Sequence, residues 1–366
     1  EIVTPPVTYL EIIRAALIPA ILYYLTLLLV VHLHSRRIGA AAPQDQGPQD
    51  ARLSVAQGVT FLLAIVGLVV FLIAGYTPFR AVTLSLVVIL LVAPWSAATR
   101  LRGRDIVAAL DKAAQAGVPL IAAASCVGVI LGVVTLTGIG SKLPAAILPL
   151  ARDNLMAALF LLMISTIVLG MGLPSAVCYL LMATLLGPML AKLGLVPLAA
   201  HLFIFYFGMM SMVTPPVALA GYAAATIADA DIMRTSFAAF RFALIGFVLP
   251  YAFVLNPSLV LLSKEGSVSL PYTGISLLAV VSGILFLAVG ITGYFRRAMG
   301  YWSRFALFPA ALSLILLAGL DLYQVAIKAA AVAVGAGVLW LNARHAWHPA
   351  LPRLLATQRS CGDSGR

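Results

Sequence analysis

Two short stretches of the sequence place glycine, proline and hydroxyl side chains inside otherwise apolar segments. Residues 169–175 read Leu-Gly-Met-Gly-Leu-Pro-Ser, and residues 211–216 read Ser-Met-Val-Thr-Pro-Pro. Glycine tolerates positive φ, and proline removes a backbone donor and disfavours helix at the residue before it, so both stretches predict a break between two helical halves. Each break leaves carbonyl oxygens without helical partners. Together with the hydroxyls of Ser175, Ser211 and Thr214, two facing breaks predict a cage of neutral oxygen atoms for Na⁺.

The surroundings of this cage indicate what else is bound there. The helix that follows Pro174 favours an anionic substrate group at its N-terminus, because the helix dipole is positive at that end. Tyr206, in an aromatic run a few residues before Ser211, offers one hydroxyl to a substrate. Two breaks of this kind are typical of a secondary transporter. Glycine and proline are also common as simple packing kinks of membrane helices, and that alternative stays open.

Catalytic and metal-binding groups of the usual kinds are sparse. The twelve acidic residues lie near the ends of predicted segments, and the three cysteines, Cys126, Cys178 and Cys361, lack metal-ligand spacing. We therefore expect no cofactor other than a coupling ion. Ser175 and His201 raise the alternative of an intramembrane hydrolase with a catalytic dyad, although no third orienting group accompanies them and such a histidine is more typical of packing.

The composition places these stretches in a membrane protein. Of 366 residues, 63% are hydrophobic and 10% are charged, whereas soluble proteins carry about a quarter charged residues. Continuous apolar runs without the alternation of barrel strands predict an all-α polytopic membrane protein, a helical bundle with a re-entrant hairpin and broken helices. The predicted spans are 15–31, 59–75, 81–93, 118–136, 155–169, 176–190, 198–212, 237–255, 273–293, 305–320 and 325–341.

The net charge of +11 is a topology signal rather than a mark of nucleic-acid binding. Sixteen of the 23 lysines and arginines fall in five clusters between apolar runs. Two predicted spans separate neighbouring clusters in three of the four intervals, so all sixteen can lie on the cytoplasmic side. This requires an even number of crossings between Lys112 and Arg234, where the short segments do not fit ordinary full spans and irregular membrane helices are expected. We expect membrane lipid as a partner and no nucleic acid.

At these same residues the chain resembles the large membrane subunit of tripartite ATP-independent periplasmic (TRAP) transporters. The likeness is to the fused permeases that combine large and small membrane subunits, and it covers about residues 1–262. Residues 169–175 resemble the second-hairpin motif of that family, and residues 9–20 resemble the segment after its first hairpin. Further matches follow in the family's order at 201–203, 206–208, 211, 214–220 and 223–224.

The resemblance implies an elevator-type, Na⁺-coupled importer of organic acid anions in the bacterial inner membrane. Its partners are a periplasmic substrate-binding protein, a small membrane subunit or its fused equivalent, and the small organic acid anion. An unrelated ion or anion transporter with broken helices is the alternative within transport. We predict Na⁺ ligands at Gly170, Gly172, Pro174, Ser175, Ser211, Thr214 and Pro216, and substrate contacts at Ser175, Tyr206, Thr214 and Pro215.

Composition and resemblance together predict five parts of the chain. Residues 1–35 end a first transport-repeat segment, 36–54 form a cytoplasmic polar linker, and 55–263 form the second half of the permease with the hairpin site. Residues 264–342 form a three-helix membrane extension, and 343–366 form a basic cytoplasmic tail. Because the chain begins at Glu1 without a signal peptide, we interpret it as the C-terminal part of a longer protein whose first hairpin precedes Glu1, so that this chain alone is not expected to transport.

Overall fold

The described part of the chain is mostly helical. The computed structural model describes residues 7–39, 55–95, 101–138, 149, 154–171, 173, 175–192, 194–262, 270–319 and 321–344. Within these ranges there are α-helices, short 3₁₀ turns and one isolated β-bridge, but no β-strand, so the all-α prediction is confirmed. The helices are α1 (Tyr9–Ile38), α2 (Val55–Ile73), α3 (Pro78–Val92), α4 (Gly103–Thr137), α5 (Leu155–Gly170), α6 (Ser175–Lys192), α7 (Pro197–Ser211), α8 (Leu219–Ala228), α9 (Ile232–Ala243), α10 (Leu249–Leu255), α11 (Leu270–Thr292), α12 (Tyr301–Leu316) and α13 (Leu322–Arg344).

Several of these helices are long and apolar enough to cross a bilayer. The stretches that meet this condition in the described residues are Tyr9–Ile38, Ile232–Leu255, Leu270–Thr292 and Leu322–Arg344. Other apolar helices are shorter, at 10–17 residues. Ten of the eleven predicted spans correspond to one helix each, with most ends displaced by a few residues. The largest difference is in α4, which begins at Gly103 rather than at residue 118. The eleventh predicted span, 237–255, is the exception.

That span lies within Ile232–Leu255, which is long enough to cross a bilayer, but a 3₁₀ turn divides its α-helix in two. α9 ends at Ala243, a 3₁₀ turn occupies Leu244–Val248, and α10 restarts at Leu249. Pro250 explains the change, because it has no N–H to donate to the carbonyl of Gly246 and its ring crowds that carbonyl. The N–H of Leu249 bonds to the Gly246 carbonyl instead, which tightens the chain.

The sequence analysis also missed α8. This helix has ten residues, too few to stand out as a span, and it packs on α9 in a helical hairpin. Its C-cap, Asp229, has φ 48° in the left-handed region and ends the helix before α9 begins.

The core of the described chain surrounds α7. Eleven of its fifteen residues are buried, while Leu202, Phe205 and Met209 share one face that is only partly covered. Phe203 and Phe207, both with no exposed surface, lie edge-on to Tyr251 of α10 at ring distances of 5.3 and 6.0 Å. The Tyr251 hydroxyl donates to the sulfur of Met163 in α5 at 3.2 Å. α5, α6 and α10 therefore pack around α7 and fix where its C-terminal end lies.

The C-terminal helices form a second group that is joined to α1. α12 packs between α11 and α13, and α11 also packs along α1. Arg37 of α1 donates to the carbonyl of Thr292 at the end of α11 at 2.6 Å. At its other end α1 begins with a reciprocal cap, in which Thr8 N–H donates to Glu11 Oε2 at 2.7 Å and Glu11 N–H donates to Thr8 Oγ1 at 3.3 Å.

The predicted division into five parts stays a prediction. α1 continues through Ile38, so the first residues assigned to the linker are helical. Residues 40–54, 263–269 and 345–366, which carry most of the linker, the boundary near Lys264 and most of the basic tail, lie outside the described residues.

The contact between α8 and α9 yields a stability prediction. A methyl group added at Gly221 would lie 2.5 Å from Oγ and 2.8 Å from Cα of Ser236, which is backbone that cannot rotate away. We expect Gly221→Ala to lower the free energy of unfolding by about 1–3 kcal/mol, the usual cost of overpacking. Thermal unfolding in detergent micelles measures this loss. Gly128→Ala is the matched control, because nothing lies within 4 Å of its added carbon, and an equal loss in both variants would contradict the packing argument.

Candidate cation and substrate site

Both predicted breaks are present in the structure. α5 ends at Gly170 and α6 begins at Ser175, while α7 ends at Ser211 and α8 begins at Leu219. Met171, with φ −60° and ψ 122°, has already left the helical region. α5 and α6 therefore form a helical hairpin, and the second break follows the buried helix α7.

The side chain of Ser211 joins the two breaks. It is fully buried, and its Oγ lies 3.0 Å from the carbonyl oxygen of Gly170 and 2.7 Å from that of Gly208. The hydroxyl proton serves one of these carbonyls at a time. Because Gly170 is the last residue of α5 and Ser211 the last of α7, this contact brings the two helix ends together inside the protein.

Two glycines make this close approach possible. A carbon added at Gly170 would lie 2.6 Å from Sγ of Cys178 and 2.9 Å from Oγ of Ser211. A carbon added at Gly208 would lie 3.3 Å from the same sulfur. The buried Cys178 thiol thus fills the space between the two glycines. Cys178 and Gly208 were missed from the sequence, although each lies three residues, about one turn, from a predicted site residue, Ser175 or Ser211.

Thr214 presents its oxygen in a defined direction at the second break. It is 9% exposed, and its hydroxyl donates to the carbonyl of Met210 at 2.8 Å. A hydroxyl that donates its proton keeps both lone pairs as acceptors, so Thr214 Oγ1 can serve as a cation ligand. The Met210 carbonyl also accepts from the N–H of Val213 at 3.1 Å, and the Thr214 N–H donates to Ser211 at 3.3 Å.

The rest of the second break is tied to the start of α8. The N–H of Ala220 donates to the carbonyl of Met212 at 3.1 Å, and the hydroxyl of Tyr222 donates to the carbonyl of Pro216 at 2.9 Å. The peptide bond between Pro215 and Pro216 is cis. Residues 212–218 are therefore held as an ordered turn between α7 and α8.

The remaining predicted residues fall into two groups. Ser175 is half-buried at the start of α6, and its carbonyl would lie 3.8 Å from a carbon added at Gly208, so it belongs with the joined breaks. Pro215 is half-buried and Pro216 is exposed in the turn after Thr214. Gly172 and Pro174 lie outside the described residues.

Tyr206 lies apart from the breaks. It precedes Gly208 by two residues, which places it about 200° around α7 from the face that meets Cys178. Its ring packs edge-on against Tyr23 of α1 at 5.9 Å and Phe253 of α10 at 6.3 Å. Its hydroxyl is buried and has no hydrogen-bond partner among the described residues. The structure therefore does not bring Tyr206 together with Ser175, Ser211 and Thr214.

His201 belongs to a structural pair rather than to a dyad. Its Nδ1 lies 3.2 Å from the hydroxyl of Tyr179, and the two rings contact edge-on at 6.1 Å. His201 precedes Gly208 by seven residues, about 10 Å along the helix axis, whereas Ser175 lies at the level of Gly208. The geometry gives no support to a hydrolase built on Ser175 and His201.

Within the described ranges, no group of three or more His, Cys, Asp or Glu side chains could hold a metal ion. A cation at the joined breaks would be bound by carbonyl and hydroxyl oxygens.

The fold and these helix breaks define a multi-pass membrane protein of the transporter class. Residues 2–265 match the family described as "Tripartite ATP-independent periplasmic transporter, DctM component", and this match covers well over half of the chain. The chain belongs to that family. No curated protein and no solved structure matches it.

Family membership confirms the predicted large membrane subunit of a TRAP transporter. The protein is thus a permease component of a secondary transporter, and the family works with a periplasmic binding protein and a small membrane subunit. The alternative of an unrelated broken-helix transporter is replaced by this assignment. The match ends at residue 265, so α11 to α13 lie beyond the part that the family describes.

The close approach at Gly170 yields a second prediction. We expect Gly170→Ala to lower the free energy of unfolding by about 1–3 kcal/mol, since the added methyl must displace Cys178 Sγ and Ser211 Oγ. Adding Cys178→Ala to this variant removes the nearer atom and should recover part of the loss. A double-mutant cycle from thermal unfolding measures the coupling. Additive losses, with no recovery in the double variant, would contradict the proposed contact.

Proposed function

We propose that this protein is the permease component of a Na⁺-coupled, elevator-type importer of organic acid anions in the bacterial inner membrane. The observation that carries the proposal is the contact of Ser211 with Gly170, which joins two helix breaks in a chain of the DctM family. Helix breaks inside a membrane protein persist only where protein or a wet cavity satisfies their backbone groups. Paired breaks of this kind are typical of cation and substrate sites in secondary transporters.

The available ligands favour a small alkali cation. The oxygens at the joined breaks are carbonyls and hydroxyls. Among them is Thr214 Oγ1, which donates its proton to a carbonyl and so keeps both lone pairs available for a cation. The acidic residues of the described part are elsewhere in the chain. They are Glu11, Asp105, Asp111, Asp229, Asp231 and Asp321.

A neutral cage also explains how an ion is coupled to an anionic substrate. A cation held by uncharged oxygens keeps its full positive charge, and an adjacent anion gains Coulomb energy only while that cation is bound. Each ligand then raises the affinity of the site for the other by the same factor. The N-terminal end of α6 at Ser175 adds favourable potential for the same anionic group. We place the substrate carboxylate beside Ser175 and Thr214, within reach of the bound ion.

The proposed partners follow from the same chemistry. A permease whose substrate is delivered by a periplasmic binding protein depends on that protein as well as on the ion gradient. The small organic acid anion is the cargo, and a small membrane subunit or its fused equivalent completes the assembly.

Uptake by the full-length protein tests this function. We expect proteoliposomes to accumulate the anion only when an inward Na⁺ gradient and the loaded binding protein are both present. Replacing Na⁺ by K⁺ at the same ionic strength should abolish accumulation of radiolabelled substrate. Equal uptake with K⁺ would contradict Na⁺ coupling, and uptake without the binding protein would contradict the delivered-substrate mechanism.

A conservative substitution at the cage tests the ligand assignment. Thr214→Val removes one oxygen at nearly constant volume, and the carbonyl of Met210 keeps the N–H of Val213 as a partner, so folding should be little affected. We expect the half-maximal Na⁺ concentration for uptake to rise about tenfold, the equivalent of about 1.4 kcal/mol.

The matched control for this substitution is Thr226→Val. Thr226 makes the same kind of bond, from its hydroxyl to the carbonyl four residues earlier, but lies exposed on α8. Its half-maximal Na⁺ concentration should stay unchanged. An unchanged value in Thr214→Val as well would remove Thr214 from the ligand set.

A further inference from the structure

Arginines from different helices converge on the last turn of α11. Arg304 of α12 donates from Nε to the carbonyl of Gly290 at 2.8 Å and from Nη2 to that of Ile291 at 3.3 Å. Arg241 of α9 donates from Nη2 to the same Ile291 oxygen at 3.1 Å. Two guanidinium groups therefore share one acceptor, which places two like charges side by side.

Further arginines extend this positive surface. Arg37 of α1 caps Thr292, the last residue of α11. Arg296 and Arg297 are exposed in the turn that follows, and their backbone N–H groups donate to Oδ1 of the buried Asn342 at 3.3 and 3.4 Å. Asn342 thus holds the turn in place while both arginine side chains face outward.

Among the described residues, no carboxylate forms an ion pair with the arginines at this helix end. The C-terminal end of a helix carries about half a negative charge, which offsets only a fraction of the three guanidinium groups that cap it. Across the described residues, the one ion pair joins Arg104 to Asp105, so none of the three arginines that cap α11 is paired with a carboxylate of that part of the chain.

A cavity lies beside this charge. Its volume is about 380 Å³, and it is lined by Tyr301, Trp302, Arg304, Phe305 and Phe308. Tyr301 and Trp302 are each 87% exposed, and Phe305 is 69% exposed. Exposed aromatic side chains next to arginine are typical of the level of lipid headgroups, where one end of the site is apolar and the other is wet.

We propose that this cavity binds the phosphate of an anionic phospholipid. Arg304 uses two of its five N–H donors on α11, so three remain for phosphate oxygens. The lipid's glycerol and upper acyl carbons would cover Trp302 and Phe305, which a soluble phosphate cannot do. A net negative headgroup, rather than a zwitterionic one, balances the surplus of guanidinium charge. This site lies beyond the matched family region, on helices that the proposed transport mechanism does not use.

Native mass spectrometry of the purified full-length protein tests the proposal. The probes are a phosphatidylglycerol, a phosphatidylcholine of the same acyl chains, and inorganic phosphate. We expect retention of phosphatidylglycerol in preference to phosphatidylcholine. In Arg304→Gln its dissociation constant should rise about tenfold, as expected when a charge-assisted hydrogen bond is lost. Arg102→Gln, an exposed arginine at the start of α4, is the control and should leave the dissociation constant unchanged.

A second variant keeps the test independent of the helix cap that Arg304 provides. Trp302 is almost fully exposed, so the Trp302→Ala variant should fold normally. We expect its dissociation constant for phosphatidylglycerol to rise about fivefold, the effect of losing about 40 Å² of apolar contact. Equal retention of the two lipids would overturn the proposal. Displacement of phosphatidylglycerol by millimolar inorganic phosphate, with no effect of Trp302→Ala, would indicate a soluble-anion site. A dimer lost on Trp302→Ala would indicate a second copy as the occupant.

Discussion

The hydrogen bond between Ser211 and the carbonyl of Gly170 is the interaction on which the candidate site depends. A helix that ends inside a membrane protein leaves carbonyl groups that water cannot reach, and each such group costs several kcal/mol if it is left alone. Here the end of one helix contacts the end of another, with both groups buried. Each group also has a partner in its own segment, because the Gly170 carbonyl accepts from the N–H of Leu173 at 3.1 Å and the Ser211 hydroxyl lies 2.7 Å from the carbonyl of Gly208. The contact therefore holds together two irregular segments whose polar groups are satisfied.

The packing around α7 makes this arrangement rigid. A helix with most of its surface packed against α5, α6 and α10 cannot rotate or slide without disturbing all three. Its aromatic residues, Phe203 and Phe207, lock it to α10, and the Cys178 sulfur fills the remaining space at its end. The oxygens proposed as cation ligands are held by this scaffold in fixed directions, and such preorganisation lowers the entropic cost of binding.

The sequence predicted the helices and breaks better than the contacts between them. Long apolar runs and Gly-Pro stretches are local signals, so the helix bounds and both interruptions were accessible. The 3₁₀ turn before Pro250 and the short α8 depend on local geometry within apolar sequence, where hydrophobicity alone does not distinguish a continuous helix from a broken one. Tyr206 shows a different limit, since its nearness in sequence to Ser211 concealed that it points to another face of α7. The roles of Cys178 and Gly208 were not predicted, because they depend on close packing between two helices, which the sequence of either helix alone does not show.

The bond between Arg37 and Thr292 spans 255 positions of the sequence. A ribosome that adds about 5–20 residues per second needs about 13–50 s to make that length of chain. For this interval α1 is already synthesised while the helix that receives its arginine does not yet exist. The guanidinium group of Arg37 therefore cannot reach its carbonyl acceptor in the folded protein until α11 has been synthesised.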